Sequence, residues 1–289
     1  MGRPMLALDS RRTAETFNGF PSLGSLSERD YILAAQVIYL VALAITMLAG
    51  LRHVVGHRDS VGVFLRPTGR PLWIVIALMV GLGLATIGAM WLRGGGALTP
   101  IYHAMLVMML FSTATAVVCY PLAVADDSPQ PTAPGVYLKK VLPWVPLALA
   151  WSWLSVYVIG LLVEGVTVNE EGFAAQINPN DPLSFLAVCL FAMCAAIMEE
   201  IIFRGGLIAL LRRLRIPATA AIVVAAFVFA LGHAQYMRPV GVKEVQIFGL
   251  ALMLGYVRVR HGLNAAVIIH FAHNYVPLMI TALFPNFSI

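Results

Sequence analysis

Charged, imidazole and amide side chains recur in the second half of an otherwise apolar chain. They are Glu199, Glu200, Arg204, His233, His270, His273 and Asn274. Inside a membrane-spanning helix, each charged group would cost about 2.5–3.5 kcal/mol on insertion scales, so such groups are kept chiefly where they have a function. The set is too large for one stabilising ion pair, and it predicts a buried polar site.

Two pairs in this set have the four-residue spacing that places side chains on one helix face. Glu200 precedes Arg204, which is the favourable order for an ion pair within a helix. We therefore expect Arg204 to neutralise Glu200 and to leave Glu199, about 100° round the helix, for another partner. His270 and Asn274 share a face in the same way.

Chain length along a predicted hairpin places Glu199 and His233 at one depth. Arg215-Ile216-Pro217 predicts a tight turn between two helices, because proline cannot continue the first of them. Glu199 precedes Arg215, and His233 follows it, by similar stretches of chain. At about 1.5 Å per residue these stretches are about 24 and 27 Å long as helix.

This set of side chains suits the hydrolysis of an amide bond by an activated water molecule. Glu199 could act as the general base, and His233 could bind and orient the same water. His270 and Asn274 could donate hydrogen bonds to the developing oxyanion. No serine or cysteine stands beside a histidine as a nucleophile, so direct attack by water is the simpler scheme.

A metal site is the rival interpretation of the same residues. The histidines and the two glutamates are all possible zinc ligands. The HExxH spacing of zinc proteases is absent from the sequence. We therefore predict a mechanism without a metal or other cofactor, with zinc as the less favoured alternative.

The composition predicts an all-α polytopic membrane protein. Of 289 residues, 60% are hydrophobic and 11% charged, and the mean hydropathy is +0.85. Soluble domains are about 25% charged, so this composition excludes a soluble domain and a nucleic-acid-binding module. Eight apolar stretches predict about eight helices: 31–50, 72–92, 98–125, 141–163, 183–203, 216–233, 245–257 and 263–284. The seventh is too short to cross a hydrocarbon core of about 30 Å.

These stretches divide the chain into a polar tail at 1–30, four helices within 31–182 and four catalytic helices within 183–289. Twelve Lys and Arg fall in alternate loops that would face inside, against seven outside. This excess predicts that both chain ends lie outside. We take a bacterial inner membrane as the default location.

The second stretch carries Gly81, Ala85 and Ala89 at intervals of four residues. Small residues at this spacing let two helices approach closely. We therefore predict a packing seam on this face.

Three short motifs follow one another in the second half. Residues 199–204 fit EExxxR, 229–233 fit FxxxH, and 270–274 fit HxxxN. In this order they resemble the CAAX prenyl proteases of the Ras-converting-enzyme type and the bacterial CAAX protease and bacteriocin-processing membrane proteins. The resemblance covers about residues 183–277, a third of the chain.

The resemblance implies a glutamate-type intramembrane endopeptidase whose eight helices surround an intramembrane catalytic cavity that opens to the cytosol. By resemblance, Glu199 activates water with His233 as its partner, and His270 and Asn274 stabilise the tetrahedral intermediate. The implied partners are membrane lipid and a peptide or protein substrate, with or without a prenyl group, and no nucleic acid.

Other assignments stay open. Glu200 and Arg204 would shape the site or contact substrate. His273 lies outside the motifs, where it lines the cavity or, as we favour, hydrogen-bonds a neighbour. The whole set could also serve a non-catalytic binding or immunity protein of the same fold, or a proton-coupled transporter. The transporter is less favoured because no internal repeat is visible.

Overall fold

The computed structural model describes residues 27–57, 70–94, 100–125, 134–168 and 181–283. Most of the predicted polar tail lies outside these ranges. The described elements are α1 (Glu28–Gly56), α2 (Arg70–Arg93), α3 (Pro100–Ala125), α4 (Pro134–Val141), α5 (Trp144–Leu162), β1 (Thr167–Val168), α6 (Pro182–Glu199), a π-helical segment (Glu200–Leu207), α7 (Ile208–Arg213), α8 (Ala218–Leu231), β2 (Met237–Arg238), α9 (Val242–His261) and α10 (Leu263–Leu283).

Within the described ranges, six helical stretches are long and apolar enough to cross a membrane. They are Glu28–Gly56, Trp73–Arg93, His103–Val124, Leu138–Leu162, Pro182–Arg213 and Leu263–Ile280. The chain is thus an all-α multi-pass membrane protein, as predicted. Length and composition do not reproduce the predicted count of eight, because α8 is too short and α9 is not apolar enough.

The seventh predicted helix is longer than the apolar stretch 245–257 suggests. It has 20 residues, from Val242 to His261. Its ends carry Lys and Arg, which the hydropathy pattern assigns to loops. Arg258, for example, belongs to the predicted loop charges, but it is buried within the helix bundle. The prediction was wrong because a polar side chain can lie inside the bundle when backbone carbonyls satisfy it.

The predicted turn after the fifth apolar stretch is present. α6, the π-helical segment and α7 run on as one 32-residue span from Pro182 to Arg213. Arg215 then adopts a left-handed conformation with φ 64°. The Ile216 N–H donates to the Leu211 carbonyl at 3.1 Å, which closes the end of the helix. Pro217 immediately precedes α8.

This long span lies at the centre of the bundle. α3 packs against both α6 and the π-helical segment, while α10 packs against α6 and α9. Two glycines permit the close approach. A Cβ on Gly205 would lie 2.7 Å from the Ala123 Cβ, and one on Gly206 would lie 2.5 Å from Thr46 Cγ2. The π-helical segment is therefore pressed directly against α1 and α3.

The small-residue seam predicted on α2 does not pack within the described part of the chain. Gly81, Ala85 and Ala89 are exposed, and a Cβ on Gly81 would meet nothing within 4 Å. The buried face of α2 contains Gly83 and Thr86 instead, and a Cβ on Gly83 would overlap the side chain of a methionine in α3. The prediction was wrong because spacing alone does not say which of two small-residue faces meets a neighbour.

Candidate active site

Two adjacent carboxylates and one imidazole form the centre of the site. His270 Nδ1 lies 2.7 Å from Glu200 Oε1, and His270 Nε2 lies 3.6 Å from Glu199 Oε2. The Glu200 side chain is fully buried, whereas 15% of the Glu199 side chain is exposed. His270 thus stands between a carboxylate enclosed by protein and one with an open side.

Arg204 pairs with Glu200, as the spacing predicted. Its Nη1 lies 3.1 Å from Glu200 Oε1, and both side chains are buried. The guanidinium also lies over the Phe229 ring, 4.1 Å from its centroid. The hydrogen-bonding capacity of the two side chains is not fully used. Glu200 Oε2 and Arg204 Nη2 are buried and have no hydrogen-bond partner among the described residues.

The π-helical segment begins at Glu200, directly after the α-helix that ends at Glu199. Both residues keep α-helical backbone angles, with φ −66° and ψ −41° at Glu199 and φ −68° and ψ −39° at Glu200. π-helical turns are wider than α-helical turns and occur frequently at functional sites. The change of winding therefore begins at the carboxylates and affects the residues that follow them, Arg204 included.

Arg258, from α9, donates hydrogen bonds to backbone carbonyls of the π-helical segment and of α3. Its Nε donates to the Arg204 carbonyl at 3.1 Å, and its Nη2 donates to the Ala123 carbonyl at 3.0 Å. Sequence reasoning missed this residue because it carries no motif and follows an apolar run. Its burial within a helix, between two other helices, could not be seen from charge alone.

His233 lies at the end of α8 but does not bond to a glutamate. Its Nδ1 lies 2.9 Å from the Phe229 carbonyl. A carbonyl only accepts, so Nδ1 carries the proton and the neutral ring leaves Nε2 as an acceptor. No hydrogen bond or ion pair joins His233 to Glu199 in the described part of the chain. Sequence reasoning paired these two, but the histidine that contacts Glu199 is His270.

Asn274 and His273 extend the site along α10. Asn274 is one turn after His270 and half-buried, and its amide bonds to none of the described residues. His273 bonds to Ser152 of α5, with 3.2 Å between Nδ1 and Oγ, and its ring centroid is 6.5 Å from that of His270. The expected hydrogen bond to a neighbour is therefore present.

The first helix also contributes to the site. Tyr39 packs on Phe203 with 5.2 Å between ring centroids, and it lies close enough to Glu199 for the two to interact electrostatically. A Cβ on Gly232 would overlap the Tyr39 ring. Sequence reasoning missed Tyr39, because the apolar pattern of α1 gives no sign of which side faces the site.

No group of three or more His, Cys, Asp or Glu side chains suited to a metal ion occurs within the described ranges. The cluster at Glu199 and Glu200 adds only His270, whose two nitrogens both face carboxylates.

The two ends of the bundle carry different charges. At one end, Arg213 of α7 donates to His53 of α1 at 3.4 Å, beside Arg52. At the other end, Arg238 pairs with Glu28, and β1 pairs with β2. The helix α8 rises from the first end toward the second by about 21 Å, at about 1.5 Å per residue. Along the central span, Glu199 lies about 21 Å from Arg213 and about 26 Å from Pro182, so the carboxylates lie near mid-depth between the two ends. Which end faces the cytosol stays a prediction.

Most of the C-terminal half of the chain matches a known family. Residues 181–276 match the family model described as Rce1-like, Type II CAAX prenyl endopeptidase Rce1-like. The match covers a third of the chain, from the start of α6 to the middle of α10, and it confirms the predicted resemblance there. No curated protein and no solved structure matches the chain.

Proposed function

We propose, on the premise of the Rce1-like domain at residues 181–276, that this membrane protein is a glutamate-type intramembrane endopeptidase. It hydrolyses a peptide bond in a membrane-associated protein or peptide, with prenylated CAAX-like substrates among the candidates. The observation that carries the proposal is the pair of adjacent carboxylates on His270, inside a long apolar span. A merely structural ion pair would not need the second carboxylate.

Glu199 is the proposed general base. Glu200 is enclosed and contacts both Arg204 and His270, so its charge is already compensated. Glu199 has one long contact, at 3.6 Å, and an exposed fraction through which water can reach it. A carboxylate in this position can take a proton from water while the water oxygen attacks the peptide carbonyl.

The remaining groups can orient the water and stabilise the intermediate. His233 presents Nε2 as an acceptor for a water O–H, because its Nδ1 is committed to Phe229. The Asn274 amide can donate to the oxyanion that forms on the carbonyl. His270 donates from Nδ1 to the Glu200 carboxylate, so its Nε2, on the Glu199 side, can donate to the oxyanion only when both ring nitrogens are protonated.

Collapse of the intermediate completes the reaction. The carbon–nitrogen bond breaks, and the proton held by Glu199 passes to the leaving amine nitrogen. The carbonyl carbon keeps the water oxygen in a new carboxylic acid, which releases its remaining proton to solvent and becomes a carboxylate. One residue thus serves first as a base and then as an acid, and no covalent enzyme intermediate forms.

A cleavage assay on detergent-purified protein tests this scheme. We expect wild type to cut a farnesylated CAAX peptide, an unprenylated hydrophobic peptide or both, and Glu199→Gln to lose about 10²–10⁴-fold in rate. Glu164→Gln is the matched control, because Glu164 is exposed outside the site. Retained activity in Glu199→Gln would exclude Glu199 as the base. Peptide binding without cleavage by folded wild type would favour the non-catalytic protein.

Chelation tests the absence of a metal. We expect activity to persist after prolonged treatment with a strong zinc chelator, because Glu199 and His233 activate water directly. The measurement is the cleavage rate before treatment, after treatment and after zinc is added back. A loss that zinc restores would establish the zinc-dependent variant.

A further inference from the structure

Lys243 is a cation on the interior side of the bundle, in the first turn of α9. It is half-buried, and its Nζ donates to Gln246 Oε1 at 2.8 Å. No carboxylate pairs with it among the described residues. Its neighbour Glu244 is turned to the helix end, where Oε2 accepts from the Gly241 N–H at 3.0 Å.

The stability of the folded protein does not favour a lysine in the first turn of α9. The first turn of a helix carries partial positive charge, so a cation there is unfavourable. Partial burial adds a desolvation cost that one hydrogen bond to a neutral amide compensates poorly. The lysine is therefore better explained by an anion that binds to it than by its contribution to stability.

A chain of hydrogen bonds joins Lys243 to the candidate active site. Gln246 accepts from Lys243 and donates through Nε2 to the Ser152 carbonyl at 3.0 Å. The Ser152 hydroxyl bonds to His273, whose ring lies 6.5 Å from that of His270. These contacts hold Lys243 on one side of the site.

The charge of Lys243 also reaches the histidines directly. It is close enough to interact electrostatically with both His233 and His273. An anion bound to Lys243 would thus lie on the side of the site where His233 and His273 stand. In a peptide substrate the available anions are carboxylates.

We infer that Lys243 binds a carboxylate of the substrate and so fixes which peptide bond reaches Glu199. The inference rests on the proposed function, and it deepens it by naming the group that is recognised. The carboxylate can be the chain's own C-terminus or the side chain of an Asp or Glu. The first source predicts cleavage close to a free C-terminus, and the second predicts cleavage within a chain.

Peptide binding to the Glu199→Gln protein tests the inference without requiring cleavage. Three versions of one hydrophobic peptide are compared: with a free C-terminal acid, with a C-terminal amide, and with the amide plus an internal Asp. We expect at least one carboxylate version to bind about tenfold more tightly than the plain amide, as for a hydrogen bond to a charged group. The peptide version that binds more tightly than the plain amide identifies the source of the carboxylate.

Protein variants then assign the effect to Lys243. In the Glu199→Gln background, Lys243→Met should abolish the difference between acid and amide, and Lys243→Arg should keep part of it. Lys140→Met is the matched control, because Lys140 is exposed on α4. Because the acid–amide comparison changes the peptide and not the protein, it decides the question even where Lys243→Met does not fold.

The outcomes separate the two proposals. A carboxylate preference without cleavage by wild type would overturn the proposed function and leave the carboxylate site standing. Cleavage by wild type with equal or undetectable binding of all three peptides would overturn the carboxylate site. Equal losses for acid and amide in Lys243→Met would show a structural role and would also overturn it.

Discussion

The central span Pro182–Arg213 and the first span Glu28–Gly56 are alike in length and hydropathy but differ in their surroundings. They have 32 and 29 residues, with mean hydropathies of 2.2 and 2.4 in their most apolar windows. Yet 61% of the central window is buried inside the protein, against 11% of the first. Hydropathy therefore identifies both as spans, and it does not say which one lies at the centre.

The positions of the charged residues indicate which of the two spans lies at the centre of the bundle. In the central span, Glu199, Glu200 and Arg204 lie near its middle, shielded by neighbouring helices. In the first span, the carboxylates Glu28 and Asp30 lie at the beginning, where Ser27 also caps the helix. Charge deep in a span is kept only where protein surrounds it, so its position along the helix marks the centre of the bundle.

The largest effect should come from breaking the central ion pair. Arg204→Met leaves the Glu200 carboxylate buried beside His270 without its cation. Removing one partner of a buried pair costs about 3–5 kcal/mol of stability. Thermal unfolding in detergent measures this loss.

Arg93→Met provides the matched comparison at the edge of the bundle. Arg93 pairs with Asp181 at 2.6 Å, but 65% of its side chain is exposed. Hydrogen bonds from Ser184 and Arg93 hold the pKa of Asp181 at about 2, well below its usual value. We expect little change in the unfolding temperature because water screens exposed pairs. Equal losses in the two variants would contradict the difference between centre and edge.

A smaller effect, on rate alone, is expected from Asn274→Ala. Loss of one oxyanion donor lowers kcat by about 10²–10³-fold. Stability should stay close to wild type, since the amide bonds to none of the described residues. Asn264→Ala, in the first turn of α10, is the control and should keep full activity. An unchanged kcat in Asn274→Ala would remove this residue from the oxyanion site.

The smallest effect compares two glycines that both lie inside helical segments. Gly206→Ala would bring a methyl group to 2.5 Å from Thr46 Cγ2. Overpacking of this kind costs about 1–3 kcal/mol. Gly81→Ala faces open space, and it should be neutral or stabilise α2 by up to about 1 kcal/mol. Unfolding temperatures compare the two variants. A neutral Gly206→Ala would show that α1 can move away from the centre.

The sequence alone predicted the features that depend on local spacing. The pair between Glu200 and Arg204 follows from four-residue geometry, and the turn at Arg215 follows from the proline after it. The features that depend on packing between distant segments were not predicted from the sequence. Arg258 and Tyr39 come to the centre only because α9 and α1 pack there.

The contacts of the histidines show the same limit. Similar distances from the turn placed His233 level with Glu199, but level side chains need not face each other. His270 contacts both carboxylates because α10 packs against α6 and the π-helical segment. Its position on a helix face was predictable, and the partner on that face was not.

The π-helical segment gives the central span one residue more than α-helical winding would need. A π-helical turn bonds each residue one position further along, so deleting one residue between Glu200 and Leu207 would favour a return to α-helical winding. The change in winding would absorb the deletion, and Arg213 would keep its orientation toward His53 at the far end of the bundle. A deletion in an α-helical part of the span would instead turn every later residue by about 100° relative to α6. One residue can therefore be removed from this eight-residue stretch with less disturbance of the far end than from the α-helix before it.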